Sequence, residues 1–487
     1  MTTTETPALP ADLYIDGRYA PSASGRRFST TNPATGEKLA DVSEAGHEDL
    51  DRAVAAARRA VESGPWKEMS PRQRGKVLLR AADLLSSRAD AFGAVETRNN
   101  GKPIFEAAKI DMPACAEALA YFGGYADKSG GTTLPSRSDA FLFTTRDPVG
   151  VVGAITPWNF PLLQAMWKIA PALACGNSVV LKPASLTPLT ALMLGGLLEE
   201  AGLPPGAFNV VPGPGEVIGQ AMAEHPGIDK ITFTGETETG KRILRAAAGT
   251  VKRVSMELGG KSPNVVFADA DLDAAARGAF NGIFYGKGEV CAAGSRLLVE
   301  ESAHDALMEK IVERARKLEP ADPMHPKTRL GSLVSERQRD TVAAYVEGAV
   351  REGASLVAGG HRRDVGGRGA FFEATIFDRV DPSMTIAREE VFGPVLATLT
   401  FDSWEAAVEL GNRIRYGLAA AVWTRDVKKA LRVARALKAG TVWVNTYNMY
   451  DPGLPFGGYK ESGFGRERGE EAMREYTELK SVWVDLS

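Results

Sequence analysis

Cysteine is scarce: Cys115, Cys175 and Cys291 are the only three in 487 residues. Three dispersed thiols exclude a disulfide scaffold and a Cys-rich zinc site, and they suit a reducing, cytoplasmic setting. Charge of one sign is lacking as well. The 58 Lys and Arg against 61 Asp and Glu leave a net charge of −3, and no block of like charge marks a nucleic-acid arm or an acidic tail. No nucleic-acid partner is expected, and a small-molecule partner fits better. Long apolar runs are missing too: stretches such as 149–155 and 178–181 fall far short of the roughly 20 residues that cross a bilayer. No membrane association is expected. Residues 1–11 have neither a basic start nor an apolar core, so they read as an exposed end rather than a targeting peptide. Internal repeats and low-complexity tracts are absent.

What is present is length and alternation. A chain of this size exceeds one ordinary core, and its 44% hydrophobic content is enough to fill two or more packed units. Across 48–85, Ala, Val, Leu and Arg recur at helical spacing with a break at Ser63-Gly64-Pro65, which predicts two surface helices joined by a turn. After Pro148 the texture changes to short β-branched runs, each followed by Gly or Pro and a helix-like stretch. The predicted strands are 149–156, 178–182, 209–212, 230–234 and 254–258, and the alternation predicts βαβ units on a parallel sheet. A second set, 263–268, 295–300, 394–401, 419–424 and 440–445, with helical stretches such as 305–318, predicts a second α/β unit. Two β-prone pieces, 139–147 and 479–485, have no helix partner. They are expected to pair with each other or with another subunit's edge.

Four segments carry chemistry-bearing residues. Cys291 follows the turn Gly286-Lys287-Gly288 among small residues, where a substrate can approach and backbone N–H groups can face a developing charge. That stretch alone leaves a reactive thiol and a buried filler evenly balanced. Glu257, before Leu258-Gly259-Gly260-Lys261, is a carboxylate at a strand end entering a crevice, or alternatively a surface cap. In Pro157-Trp158-Asn159-Phe160-Pro161, an Asn amide is placed to donate to an oxyanion, although an Asn there singly reads as a turn former. The nucleotide signals are weak one by one. Gly213-Pro214-Gly215 with Gly219 is a poor dinucleotide fingerprint, Lys182 at a strand end reads equally as a solvated charge, and Phe233-Thr234-Gly235-Glu236-Thr237 opens a helix whose N-terminus attracts phosphate.

Taken in order, these segments, with Glu390-Val391-Phe392-Gly393-Pro394 and Pro455-Phe456-Gly457-Gly458-Tyr459-Lys460 leading to Gly465-Arg466-Glu467, resemble the aldehyde dehydrogenase superfamily. The resemblance is to its non-acylating, betaine-aldehyde or broad-specificity branch and runs over 13–484. It implies two Rossmann-like α/β domains with a small β oligomerisation element. The implied division is a cofactor domain of 1–127 and 150–259, a catalytic domain of 260–460, and a bridging element of 128–149 and 461–487. It further implies NAD or NADP as cofactor, no catalytic metal, and a homodimer or homotetramer.

By resemblance, Cys291 attacks the aldehyde, Asn159 and the Cys291 N–H hold the oxyanion, hydride leaves for the nicotinamide, and Glu257 activates the water that cleaves the thioester. Cofactor contacts are implied for Ile155, Thr156, Pro157, Trp158, Lys182, Ala184, Ser185, Gly215, Phe233, Thr234, Gly235, Glu236, Leu258, Gly259, Glu390 and Phe392. Among them, Lys182 and Glu390 take ribose hydroxyls and Phe392 packs near the nicotinamide. Lys168 and Glu467 resemble a secondary proton-relay pair. The aldehyde tunnel is expected from Phe160, Trp167, Tyr285, Val290, Tyr450 and Phe456, which suits an apolar or aromatic aldehyde.

Three departures matter. Ser185 stands where many NAD-specific members carry a Glu that repels a 2′-phosphate, so NADP+ should be tolerated. Glu236 replaces a common Ser and should turn outward. Lys287 replaces a common Gln; it favours the thiolate or an anionic substrate, or else points at solvent. Two rival classes fit these residues less well. A CoA-dependent acylating enzyme typically lacks the base Glu, and a structural protein on this scaffold, such as a lens crystallin, is expected to have lost the thiol or a cofactor residue.

Overall fold

The computed structural model describes residues 9–487, so most of the expected exposed end, 1–8, lies outside the described residues. Three sheets organise the chain. In the first, Phe208–Val210, Ser178–Lys182, Val151–Ile155, Lys230–Thr234 and Arg253–Glu257 are parallel neighbours in that order. Helices such as Pro161–Ala174, Leu189–Glu200 and Thr237–Ala247 lie in the connections, as parallel pairing requires. The three central strands are buried at every position, as expected of a parallel sheet covered on both faces.

Strand register decides where chemistry can sit. Ile155 pairs with Lys182, Phe233 with Ile155 and Thr234 with Glu257, so these strands finish together on one edge. The strand order also reverses between Val151–Ile155 and Lys230–Thr234. Such a switch point opens a crevice beyond the carboxyl ends of the strands, the usual ligand site of open α/β sheets.

Short strands escaped the sequence. The hairpin Leu13–Ile15 and Arg18–Ala20 adds antiparallel to Phe208–Val210, and Gly463–Phe464, within the stretch assigned to the bridging element, adds antiparallel to Met256 and Glu257. Two or three residues are too few to show a period of two.

The second sheet runs Ser355–Ala358, Thr375–Asp378, Val395–Phe401, Arg296–Glu300, Pro263–Val266, Ala419–Trp423, Thr441–Val444. All its pairs are parallel except the first. The third sheet joins the two orphan pieces to each other: Ala140–Pro148 pairs antiparallel with Thr477–Asp485 along its whole length, with Thr133–Leu134 on its other side. Residues 48–85 form His47–Glu62 and Pro71–Ser87 around a single turn, Pro65–Glu68. Ser70 and Gln73 close a capping box on the later helix, satisfying donors that a helix start leaves free. Among the described residues no helix is long and apolar enough to cross a membrane.

Candidate active site

The Leu272–Phe284 helix ends in a turn where Gly286, Lys287 and Gly288 all have positive φ, 58°, 63° and 70°. This left-handed run folds the chain back and delivers Cys291, half-buried with a free thiol. Gly260 makes the approach possible, because a Cβ there would collide with the Cys291 carbonyl. The other two thiols are buried deep in the core, where burial pushes both up and keeps them inert. Burial also pushes the Cys291 thiol up, and the Glu390 and Glu257 carboxylates add to it. In this state Cys291 is a thiol, and its activation needs a base or a positive field.

Glu257 closes its strand pointing into the same crevice. It is 5% exposed, neither carboxylate oxygen has a hydrogen-bond partner among the described residues, and a Cβ on Gly457 would lie 2.7 Å from Oε1. Burial first, and the Glu467 charge second, raise its carboxyl well above the usual range, while Lys168 opposes the shift. Lys168 is buried on the Pro161–Ala174 helix, donates to Thr234 Oγ1 at 2.6 Å and pairs with Glu467. The second Glu467 oxygen is buried without a partner. The two groups joined by resemblance are thus an ion pair within electrostatic reach of Glu257.

Asn159 donates one amide N–H to the Glu289 carbonyl at 2.9 Å, leaving the other for a ligand. Behind it lies a network that local sequence did not suggest. Lys287 Nζ pairs with Glu289 at 2.7 Å and donates to the Asn100 carbonyl and side-chain oxygen at 3.0 and 2.9 Å. Asn100 in turn donates to the Trp158 carbonyl at 2.7 Å. The network therefore laces the Asn159 segment to the Cys291 loop. Lys287 is 1% exposed and engaged by these partners, which corrects the expectation that it faces the thiol, an anionic substrate or solvent. A lysine in a left-handed turn reads as solvated; only burial by residues far along the chain shows otherwise.

The residues expected around a dinucleotide gather along the strand ends. Lys182 is buried with the Pro183 carbonyl as its hydrogen-bond acceptor at 3.0 Å, and burial pulls its pKa down to about 8. Among the described residues the Thr156 and Thr237 hydroxyls are buried without partners, Thr237 being the first residue of an 11-residue helix. Pro157, Ala184 and Ser185 are half-buried, and Ser185 donates to the Gly213 carbonyl at 2.9 Å. Gly215 is exposed at the opening of the next turn. Glu236 is exposed and accepts from Thr239 Oγ1 at 3.0 Å; it turns outward, as its charge requires. Gly235 lies over the Phe233 ring and Gly240 over Leu258. Glu390 accepts the Gly260 N–H at 3.1 Å beside Gly259. Burial lifts its pKa to about 7. Trp158 and Phe392 meet edge to face at 5.1 Å.

On the other side of Cys291 opens a cavity of about 880 Å³. Phe160, Trp167, Tyr285, Val290, Tyr450 and Phe456 all line it together with the thiol. Trp167, Tyr450 and Phe456 pack with ring centroids 5.4 to 6.2 Å apart, and Phe160 stacks on Tyr285 at 6.2 Å. Missed at the sequence level were Arg468, Asp111 and Glu106 on the same wall. No local signal marks them, since charges in ordinary helical or turn sequence read as surface. Among the described residues no cluster of His, Cys, Asp or Glu forms a metal site.

A family model described as the aldehyde dehydrogenase family matches residues 19–482. The chain is 47% identical over 476 residues to retinal dehydrogenase 2 of Mus musculus, covering 97% of this chain and 92% of that one. It is 46% identical over 474 residues to betaine aldehyde dehydrogenase of Bacillus subtilis, covering 97% and 96%. The structure of an aldehyde dehydrogenase from Bacillus cereus in complex with NAD+ superposes with a TM-score of 0.98 at 44% identity, over 100% of this chain and 99% of that one.

Proposed function

Because the chain belongs to the aldehyde dehydrogenase family, we propose that it oxidises an aldehyde to its carboxylic acid with NAD(P)+ through a thioester on Cys291. The residues present fit a dinucleotide. Lys182 is a buried cation held by one carbonyl, the Thr156 and Thr237 hydroxyls are buried without partners, and a helix N-terminus suits a pyrophosphate. Lys182 and Glu390 would hold ribose hydroxyls, and Trp158 and Phe392 would flank the nicotinamide end. When bound, NAD(P)+ supplies the acceptor for the hydride that leaves the reacting carbon.

The chain's own residues do the rest. The Cys291 thiol gives up its proton to solvent water and forms an S–C bond to the aldehyde carbon, and the carbonyl oxygen becomes an oxyanion. The free Asn159 N–H and the Cys291 backbone N–H stabilise that charge. Collapse of the oxyanion expels the hydride and leaves a thioester. Glu257 then takes a proton from water, hydroxide adds to the acyl carbon, the C–S bond breaks, and acid and thiolate separate. The Lys168–Glu467 pair passes the proton from Glu257 outward.

The observation that carries this reading is that Cys291 has a free thiol and Glu257 a carboxylate with no hydrogen-bond partner among the described residues, close enough for the Glu257 charge to act on the thiol. A carboxylate kept for water argues against CoA as acyl acceptor. Rapid mixing tests the division of labour. Cys291→Ala should abolish NAD(P)H formation, while Glu257→Gln should give a burst near one equivalent per site followed by turnover slowed by roughly 10²–10⁴-fold. A Glu257→Gln enzyme that turns over at the wild-type rate would remove Glu257 from the mechanism, and acyl-CoA formed from added CoA would move the protein to the acylating class.

The aromatic cavity supports an aldehyde whose body is apolar or aromatic. The free thiols support a reducing compartment such as the cytoplasm. Exposed Leu134, Phe141, Leu479 and Trp483 on the three-stranded sheet support assembly with further copies of the chain as a dimer or tetramer.

A further inference from the structure

We propose that Arg468 selects aldehydes that carry a negatively charged group, a carboxylate above all, at the end remote from the reacting carbonyl. The inference rests on the cavity beside Cys291 being the aldehyde site.

The Arg468 backbone sits at φ 66° and ψ 165°, a region almost reserved for glycine and strained for any other residue. The following Gly469 also has positive φ, 61°, and together they turn the Arg468 side chain back over the cavity. Its guanidinium lies 5.0 Å from the Trp167 ring centroid and 5.2 Å from that of Tyr450, and all three residues line the wall with Cys291. Arg468 is only 6% exposed. Yet among the described residues no carboxylate lies within ion-pair distance, and its N–H groups make no hydrogen bond. Burial disfavours its charge, and Tyr450, Glu117, Asp451 and Glu467 oppose that shift only in part. A buried guanidinium with its planar fork of donors open suits a bidentate carboxylate.

The other charges in the cavity point the same way. Burial pushes Glu106 up to about 8, so it is largely uncharged at neutral pH while accepting the Gly286 N–H at 3.1 Å. Asp111 is bound to Lys102 and accepts the Tyr285 hydroxyl at 3.1 Å. At the exposed end, Arg314, Lys317 and Arg329 stand against Glu117, with Lys317 paired to Glu313 at 2.6 Å. The rim is therefore net positive and attracts an anion. The aromatic rings would hold the body of the substrate and Arg468 its charged end.

Two matched pairs test this: 4-formylbenzoate and 6-oxohexanoate, each against its methyl ester. Wild type should favour each acid in kcat/KM. Arg468→Met should raise KM for the acids about tenfold or more, with kcat and the esters changed less than about threefold. Arg468→Lys should recover part of the loss, and Glu117→Gln should tighten the acids further. Calorimetry with the Cys291→Ala variant, which cannot turn over, reads the same preference as binding. Equal losses for acid and ester in Arg468→Met, or equal binding of acid and ester to Cys291→Ala, would overturn the proposal. A binding preference for the acid without oxidation of any aldehyde by wild type would leave Arg468's role standing and overturn the oxidation reading instead.

Discussion

Two regions border the Cys291 loop, and they treat polar groups in opposite ways. Behind the loop, Lys287, Glu289, Asn100, Lys102 and Asp111 hold one another at hydrogen-bonding distance. In front of it and along the strand ends beyond, both Glu257 oxygens, one Glu467 oxygen and the Thr156 and Thr237 hydroxyls are buried with no partner among the described residues. Burying an unpartnered polar group costs about 1–3 kcal/mol, so a fold keeps several together only where something other than stability is served. The paired region sets position. The unpartnered region leaves its donors and acceptors open to a ligand.

The sharpest way to break this comparison is to unpair the region behind the loop. Lys287→Gln leaves the Glu289 carboxylate buried without its cation, and Glu289→Gln does the reverse; each should cost about 3–5 kcal/mol in denaturant unfolding. The double variant Lys287→Gln with Glu289→Gln replaces the ion pair by two amides and should return to within about 1 kcal/mol of wild type. Its burst rate should recover with it, because Asn159 is tied to the Glu289 carbonyl. Losses that simply add in the double variant would show that the two side chains do not act as a pair.

A smaller change sharpens the other region. In its proposed role as base Glu257 works only when ionised, and burial together with Glu467 holds its carboxyl above the usual range. Where thioester hydrolysis limits turnover, kcat should therefore rise with pH through that raised value. Glu467→Gln removes a negative neighbour and frees the Lys168 charge, so the ascending limb should move to lower pH by about one unit, equivalent to 1.4 kcal/mol. A limb that stays in place or moves upward would separate Glu467 from the Glu257 equilibrium.

The mildest change falls at the cofactor edge. Ser185 supplies a hydroxyl already engaged by Gly213 and no charge to repel a 2′-phosphate, so NADP+ should be used within about tenfold of NAD+. Ser185→Glu should shift preference to NAD+ by about tenfold, the worth of one repulsive contact. Absence of NADP+ activity in wild type would refute the reading of Ser185.

Much of this was legible in the chain. The strands at 178–182 and 230–234 were placed to the residue, because a short β-branched run between a Gly or Pro turn and a helix is a local pattern. The two orphan β pieces did find each other. The short strands Leu13–Ile15 and Gly463–Phe464 are invisible in the sequence for want of length, although the second lies against the strand that ends in Glu257. Lys287 and Arg468 were misread or passed over for a different reason. Each is a charge in a glycine-rich turn, and the side of the turn that solvent reaches is not written in its neighbours.

The sequence by itself determined the alternation of strands and helices, the segments that carry Cys291, Glu257 and Asn159, and the family. Backbone preference and motif spacing act over a few residues, so a linear reading captures them. Only the tertiary structure decided which charges are paired, which carboxyls are raised, and which face of the cavity is cationic. Asn159 meets Glu289 across 130 residues, Lys287 meets Asn100 across 187, and Lys168 meets Glu467 across 299. Burial and field at each of these atoms are sums over segments brought together by folding, and no local stretch contains them.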